Sequence, residues 1–269
     1  MARTRLLLFA LFLSACTMTS KREAPVKGFL ANFPAPPLAE TSTPVTVAVV
    51  SQDVRPQYSP GLLPGALFIP IIPYFQGGYQ GVPLENCLTF AGGSWKHRSE
   101  VCGDYALLFP LIMADGLRRS GAVKLASFVQ NPERLKQYEL VLQLELRDFS
   151  YHEGYFSYCF PVYLLGSFVF WSLGLPYGRT AASADLGWKL YSQADHKVLA
   201  AGNVSYRTSR LVGFYYGGGY ANSIADLHRE LLPRLRDIIL RQVIRTLASK
   251  DRSFWDALIQ KHLAWRRGA

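Results

Sequence analysis

Five histidines and four cysteines are the side chains in this sequence best suited to proton transfer, metal binding or thiol chemistry, and their spacing limits what each can do. His152-Glu153 lies four residues beyond Asp148 at an expected strand end. An imidazole and a carboxylate pass a proton only within hydrogen-bond reach of each other or of substrate; the alternative is a solvated edge cluster. Cys87 and Cys102 flank the glycine-rich turn Ala91-Gly92-Gly93-Ser94, which can bring them together. Outside the cytoplasm such a pair is a candidate disulfide. Cys159, among aromatics, reads as a buried thiol. His97 adds a Cys-x9-His-x4-Cys spacing that matches no common zinc pattern and lacks a fourth ligand, so no metal site is expected. Asp185 and Asp195 sit near strand ends and serve equally as turn formers. Gly217-Gly218-Gly219 precedes a helix, where free N–H groups can hold an anion; with Tyr215, Tyr216 and Tyr220 around it, it reads as an aromatic loop. No Gly-x-Ser-x-Gly elbow, phosphate loop or His-Glu-x-x-His pair occurs. No catalytic residue and no cofactor are assigned, and the chain is not expected to be an enzyme.

The cysteine with the clearest chemistry is Cys16. Arg3 and Arg5 precede the apolar run Leu6 to Leu13, and the small residues Ser14 and Ala15 come immediately before the cysteine. That is the three-part form of a secretory leader. Eight apolar residues are too few to span a hydrocarbon core about 30 Å thick. Leu13-Ser14-Ala15-Cys16 resembles the bacterial lipobox, which is cut before its cysteine. The resemblance implies a diacylglycerol on the Cys16 thiol and an acyl chain on its freed amine. Each buried methylene contributes about 0.8 kcal/mol, so two or three chains anchor where one holds only marginally. Thr17 stands where enteric lipoproteins carry an aspartate as inner-membrane retention signal, which implies the outer membrane, facing the periplasm.

Removal of residues 1–15 leaves 254 residues (269 − 15) with 27 basic (29 − 2) and 19 acidic side chains, a net charge of about +8. An exported chain with scattered basic residues is not expected to bind nucleic acid; envelope polyanions match its charge better, and a merely basic surface is the plainer reading than either. Residues 16–44 are polar and proline-rich, as a tether is.

The elements that position these groups follow from hydrophobic pattern. Residues 45–50 are β-branched and apolar throughout, a buried strand. Residues 56–84 carry no charge and are crowded with proline, glycine and aromatics, which predicts a long loop. Asp104 can cap a helix over 105–120 that ends at Gly121, followed by a strand over 122–129. Alternation over 138–149 puts Leu140, Leu142, Leu144 and Leu146 on one strand face. Residues 154–178 are again uncharged, and two paired strands over 184–191 and 198–208 turn at Asp195-His196-Lys197. Asn222 and Ser223 offer caps for a helix that Pro233 should break or kink, and a last helix starts near Asp251. The fold class is α+β or α/β: one mixed sheet flanked by helices, interrupted by uncharged Gly/Pro/aromatic insertions. The expected divisions are 1–15 signal peptide, 16–44 lipidated tether, 45–221 sheet domain and 222–269 helices packed on that domain.

This element order, with a Leu-rich helix ending in Ser120-Gly121, resembles periplasmic domains of curli-secretion and exopolysaccharide-secretion lipoproteins over residues 45–207. The resemblance implies an accessory part of an export apparatus. The uncharged segments at 56–84, 154–178 and 212–220 either bury one another as core and loops or supply contacts for a membrane, a second copy or an envelope partner, the candidates being Phe68, Tyr74, Phe75, Phe168, Phe170, Trp171, Tyr215 and Tyr216. The expected function is a non-catalytic, membrane-anchored subunit of a transport, secretion or surface-assembly system. The alternative is a monomeric periplasmic lipoprotein that binds a lipid or glycan in an aromatic pocket.

Overall fold

The computed structural model describes residues 33–54, 67–69, 72–79, 86–91, 98–103, 105–156, 169, 172–176, 178–213 and 220–268. In chain order the strands are β1 (Thr43–Asp53), β2 (Leu67–Ile69), β3 (Ile72–Tyr79), β4 (Asn86–Ala91), β5 (Arg98–Gly103), β6 (Val123–Phe128), β7 (Leu140–Phe156), β8 (Gly178–Ser192) and β9 (Val198–Val212). The helices are α1 (Tyr105–Ser120), α2 (Tyr220–Ala248) and α3 (Arg252–Gly268). Seven strands share one mixed sheet, and β4 and β5 form a separate antiparallel pair. This is the expected α+β architecture.

β7 organises the sheet. Along one edge it pairs parallel with β1 through Val47↔Leu140 to Asp53↔Leu146, then antiparallel with β3 through Tyr79↔Tyr151 to Tyr74↔Phe156. Its other edge runs antiparallel to β8, and β9 follows β8. β6 lies parallel to β1 on the far side. Parallel neighbours need crossovers, and these cover the two faces. α1 lies on the face of Val45, Val47, Val49 and the four alternating leucines of β7, all fully buried. The 130–139 connection covers the opposite face, where Leu135 and Tyr138 pack on Ala48, Val129 and Val141. Burial on both faces explains why β1 is apolar at successive positions.

The expected loop at 56–84 contains β2 and β3. Pro73 lies outside the β3–β7 ladder, opposite Phe68 in the short edge strand β2, so its missing N–H removes no bond to β7. β7 also continues into the uncharged segment, where Gly154 opposes Arg179 and Tyr155 opposes Gly178.

α2 starts at Tyr220, ahead of the expected caps Asn222 and Ser223, and runs through Pro233 without a break. A helix-interior proline costs about 3 kcal/mol. The buried Leu227, Leu231, Leu232, Leu235, Ile239, Leu240 and Val243 offset this, since each such side chain contributes roughly 1.5–3 kcal/mol. α3 closes the end of the sheet. Asp251 caps it by accepting from the Phe254 N–H (2.8 Å), Trp255 and Leu258 enter the core, and Lys261 pairs with Asp195 of the β8–β9 turn (2.7 Å).

The segment before β1 is held against the helices. Phe33 is buried in the core. Arg236 of α2, 1% exposed, donates to the Pro34 and Ala35 carbonyls (2.7 and 3.2 Å) and pairs with Asp237 (2.7 Å). Its guanidinium lies 5.0 Å from the Phe33 ring centre. Arg119 of α1 donates to the Phe33 carbonyl (3.3 Å), and the Ala39 N–H to the Ser120 carbonyl (2.9 Å). α1 and α2 meet closely at Gly116, where a Cβ would stand 2.8 Å from Leu240 Cδ1 and 3.0 Å from Arg236 Cδ.

Candidate functional site

The chain entering β1, the start of β6 and the α2–α3 junction enclose a cleft of about 670 Å³, within the usual range for small ligands. Thr43 fixes its back wall, its N–H and Oγ1 both donating to the Ala122 carbonyl (2.9 and 2.8 Å). Leu247, Ala248, Pro44 and Trp255 give it apolar surface, and Lys124, Lys250, Arg252 and Asp256 give it charge. The three cations come from β6, the α2–α3 junction and the first turn of α3. None has a carboxylate within ion-pair distance among the described residues; Lys250 instead stands 5.6 Å from the Phe254 ring centre. Trp255 is 3% exposed, and its indole N–H has no hydrogen-bond partner among the described residues.

Beyond the cleft, His262 of α3 is 1% exposed. Burial holds its pKa below the ordinary imidazole range, opposed by the Glu139 carboxylate and reinforced by Arg266. Glu139 itself accepts from the N–H (2.7 Å) and the hydroxyl of Thr46. In the β8–β9 turn, hydrogen bonds from Lys261 and Ser192 hold Asp195 at about 2. On the sheet face away from α1 and α2, Glu145 and Arg147 pair (3.1 Å) beside a shallow depression of about 340 Å³. Gly187 lies under the Arg147 guanidinium, where a Cβ would stand 2.9 Å from Nη2 and the arginine would have to shift.

The sequence candidates fall elsewhere. Asp148 opposes Asp185, and His152 opposes Ala181 on one side and Gly78 on the other. Four residues along a strand separate the Cα atoms of Asp148 and His152 by about 13 Å, so the backbone does not cluster them. Register places Cys87 directly opposite Cys102 in the β4–β5 pair. Phe68 lies in β2, and Tyr74 and Phe75 lie in β3. Cys16, His97, Cys159, Phe168, Phe170, Trp171, Tyr215, Tyr216 and the triple glycine lie outside the described residues. Basic residues that look scattered along the chain converge at the cleft. Its one local signal is Arg252 at a helix start, where the dipole disfavours a cation.

The fold and cleft define an α+β domain with a helical layer on one sheet face. No known protein family matches the sequence, and no curated protein is similar to it. Similar solved structures include the following two. A Xanthomonas campestris protein of family DUF330 is 11% identical, with TM-score 0.42, over 80% of this chain and 93% of that one. A putative neuraminyllactose-binding hemagglutinin homolog from Helicobacter pylori is 8% identical, with TM-score 0.38, over 88% of this chain and 98% of that one. Among the described residues no helix is long and apolar enough to cross a membrane.

Proposed function

We propose that the chain is a non-catalytic envelope lipoprotein, lipid-anchored at Cys16 in the outer membrane and facing the periplasm. It serves as an accessory or structural subunit of a transport, secretion or surface-assembly system. The observation that carries this reading is how the leader-side chain joins the domain. Seventeen residues after Cys16 (33 − 16), the backbone is clamped by Arg236 and Arg119 onto the helical layer. An extended chain of that length spans at most about 60 Å. A lipid on Cys16 therefore holds the domain close to the bilayer, at a site where neighbouring envelope proteins concentrate. The test labels cells with an alkyne palmitate analogue and compares wild type with Cys16→Ser. Crosslinking in cells and size measurement of the detergent-solubilised protein follow. Label on wild type only, together with a defined crosslinked neighbour or oligomer, is expected. An unlabelled wild type overturns the anchor, and a labelled monomer without crosslinked neighbours overturns the subunit role.

A further inference from the structure

The cleft at the start of β1 is positively charged and partly apolar, and among the described residues none of its cations is ion-paired with a carboxylate. Lys124, Lys250 and Arg252 all line it and all are exposed. Against them the lining holds one carboxylate, Asp256, a formal excess of two positive charges (3 − 1). Arg252 stands in the first turn of α3, a helix with no acidic residue in that turn. The N-terminal end of a helix carries partial positive charge, so a cation there is unfavourable by several tenths of a kcal/mol. Asp251 beside it caps the helix by accepting from the Phe254 N–H and the Ser253 hydroxyl (2.8 and 3.0 Å), and its charge offsets part of that penalty. The three side chains and the helix end thus place positive charge around one space. Leu247, Ala248 and Pro44 give that space an apolar wall.

From this geometry we infer that the cleft binds a phosphate group carried on an apolar body, the phosphate held by Lys124, Lys250 and Arg252. The excess of two charges suits a phosphate monoester or diester, and the wall beside it suits the attached hydrocarbon. Leu247 and Trp255 would contact that hydrocarbon. The site goes beyond an anchored-subunit role and is independent of whether Cys16 carries lipid.

The experiment titrates the full purified chain calorimetrically with dihexanoyl phosphatidylglycerol below its micelle concentration. Inorganic phosphate and dihexanoyl phosphatidylcholine are the comparison probes. Saturable phosphatidylglycerol binding is expected, at least tenfold tighter than phosphatidylcholine and weakened by added salt. The double variant Lys124→Gln/Arg252→Gln should weaken it tenfold or more with an unchanged thermal midpoint, since both side chains are exposed. Arg241→Gln, exposed on α2 outside the cleft lining, should leave it unchanged. Phosphatidylglycerol binding much tighter than inorganic phosphate identifies a lipid headgroup as the source. Equal affinity for inorganic phosphate identifies a free phosphate and overturns the role of the apolar wall. No saturable binding of either, or binding indifferent to headgroup charge or to the double variant, overturns the site.

Discussion

Arg236→Met tests how the segment before β1 is held. The wild-type guanidinium is 1% exposed and makes charge-assisted hydrogen bonds to two backbone carbonyls, Pro34 at 2.7 Å and Ala35 at 3.2 Å. Hydrogen bonds to a charged group contribute about 1.5–3 kcal/mol each. At the lower figure the substitution removes about 3 kcal/mol of attachment. Methionine also removes the buried charge and its desolvation cost, so global stability should change less than the attachment does. Pro34 and Ala35 are otherwise exposed, so their carbonyls can take up water once released. The expected result is local opening of 33–42 with the sheet intact. Three kcal/mol is roughly a hundredfold in an equilibrium constant. Hydrogen exchange of the Ala39 amide, bonded to the Ser120 carbonyl, should therefore accelerate about a hundredfold if it exchanges through that opening. Arg236→Lys keeps the charge without the planar fork and should fall between. Arg234→Met, exposed on the same helix, should change nothing measurable. An Arg236→Met protein that folds and keeps wild-type protection over 33–42 would refute the clamp.

Three further outcomes follow from local chemistry. Because burial lowers the pKa of His262 below its ordinary 6.5, the unfolded chain takes up a proton there first; stability is full above that value and declines as pH falls toward the folded pKa. Thermal midpoints measured from pH 7.5 to 5.5 should show the decline, and His262→Leu should flatten it. Cys87 and Cys102 are directly opposite in an antiparallel pair, where Cα atoms stand about 4.5–5.5 Å apart, inside the disulfide range. Peptide mapping without reductant should find them joined in protein from an oxidising compartment, with Cys102→Ser less stable by about 3 kcal/mol. A Cβ on Gly202 would stand 2.9 Å from Trp188 Nε1, so Gly202→Ala should lower stability by about 1–3 kcal/mol in urea titration and alter the near-ultraviolet tryptophan signal.

Where one residue pattern had one physical cause, the sequence predicted the structure closely. The helix over 105–120 ends at the expected residue because Gly121 takes φ of 73°, a conformation that side-chain-bearing residues rarely adopt. The leucine alternation in β7 reports a single apolar face, and all four leucines are fully buried. Pattern failed where tertiary contact outweighed a local penalty. Pro233 signals a helix break, yet the leucines and isoleucine on either side bury enough surface to carry α2 through it. β3 has neither charge nor alternation to mark it, because Gly77 and Gly78 follow Phe75-Gln76; its place is set by pairing with β7, a non-local event. The cleft had the weakest signal of all. Lys124 and Arg252 are 128 positions apart (252 − 124), and only the docking of α3 across the start of β1 makes them neighbours.

That docking links the attachment of the chain to the wall of the cleft. Residues 33–35 are clamped by arginines from both helices, Ala39 is bonded to the end of α1, and Thr41, Ser42, Thr43 and Pro44 then form one side of the cleft before β1 begins. A pull applied from the Cys16 side meets the Arg236 and Arg119 bonds first, six to eleven residues before the cleft wall (41 − 35 to 44 − 33). The Thr43 bonds to Ala122 form a second hold beyond them. With both in place, tension on a lipid tether stays outside the cleft. With Arg236 replaced, only the Arg119 bond to the Phe33 carbonyl and the Ala39 bond to Ser120 stand between it and Thr43. Arg236→Met should therefore weaken phosphatidylglycerol binding more in membrane-reconstituted protein than in a soluble chain starting at residue 33. Equal weakening in both forms would mean that the arginine shapes the cleft itself rather than isolating it from the tether.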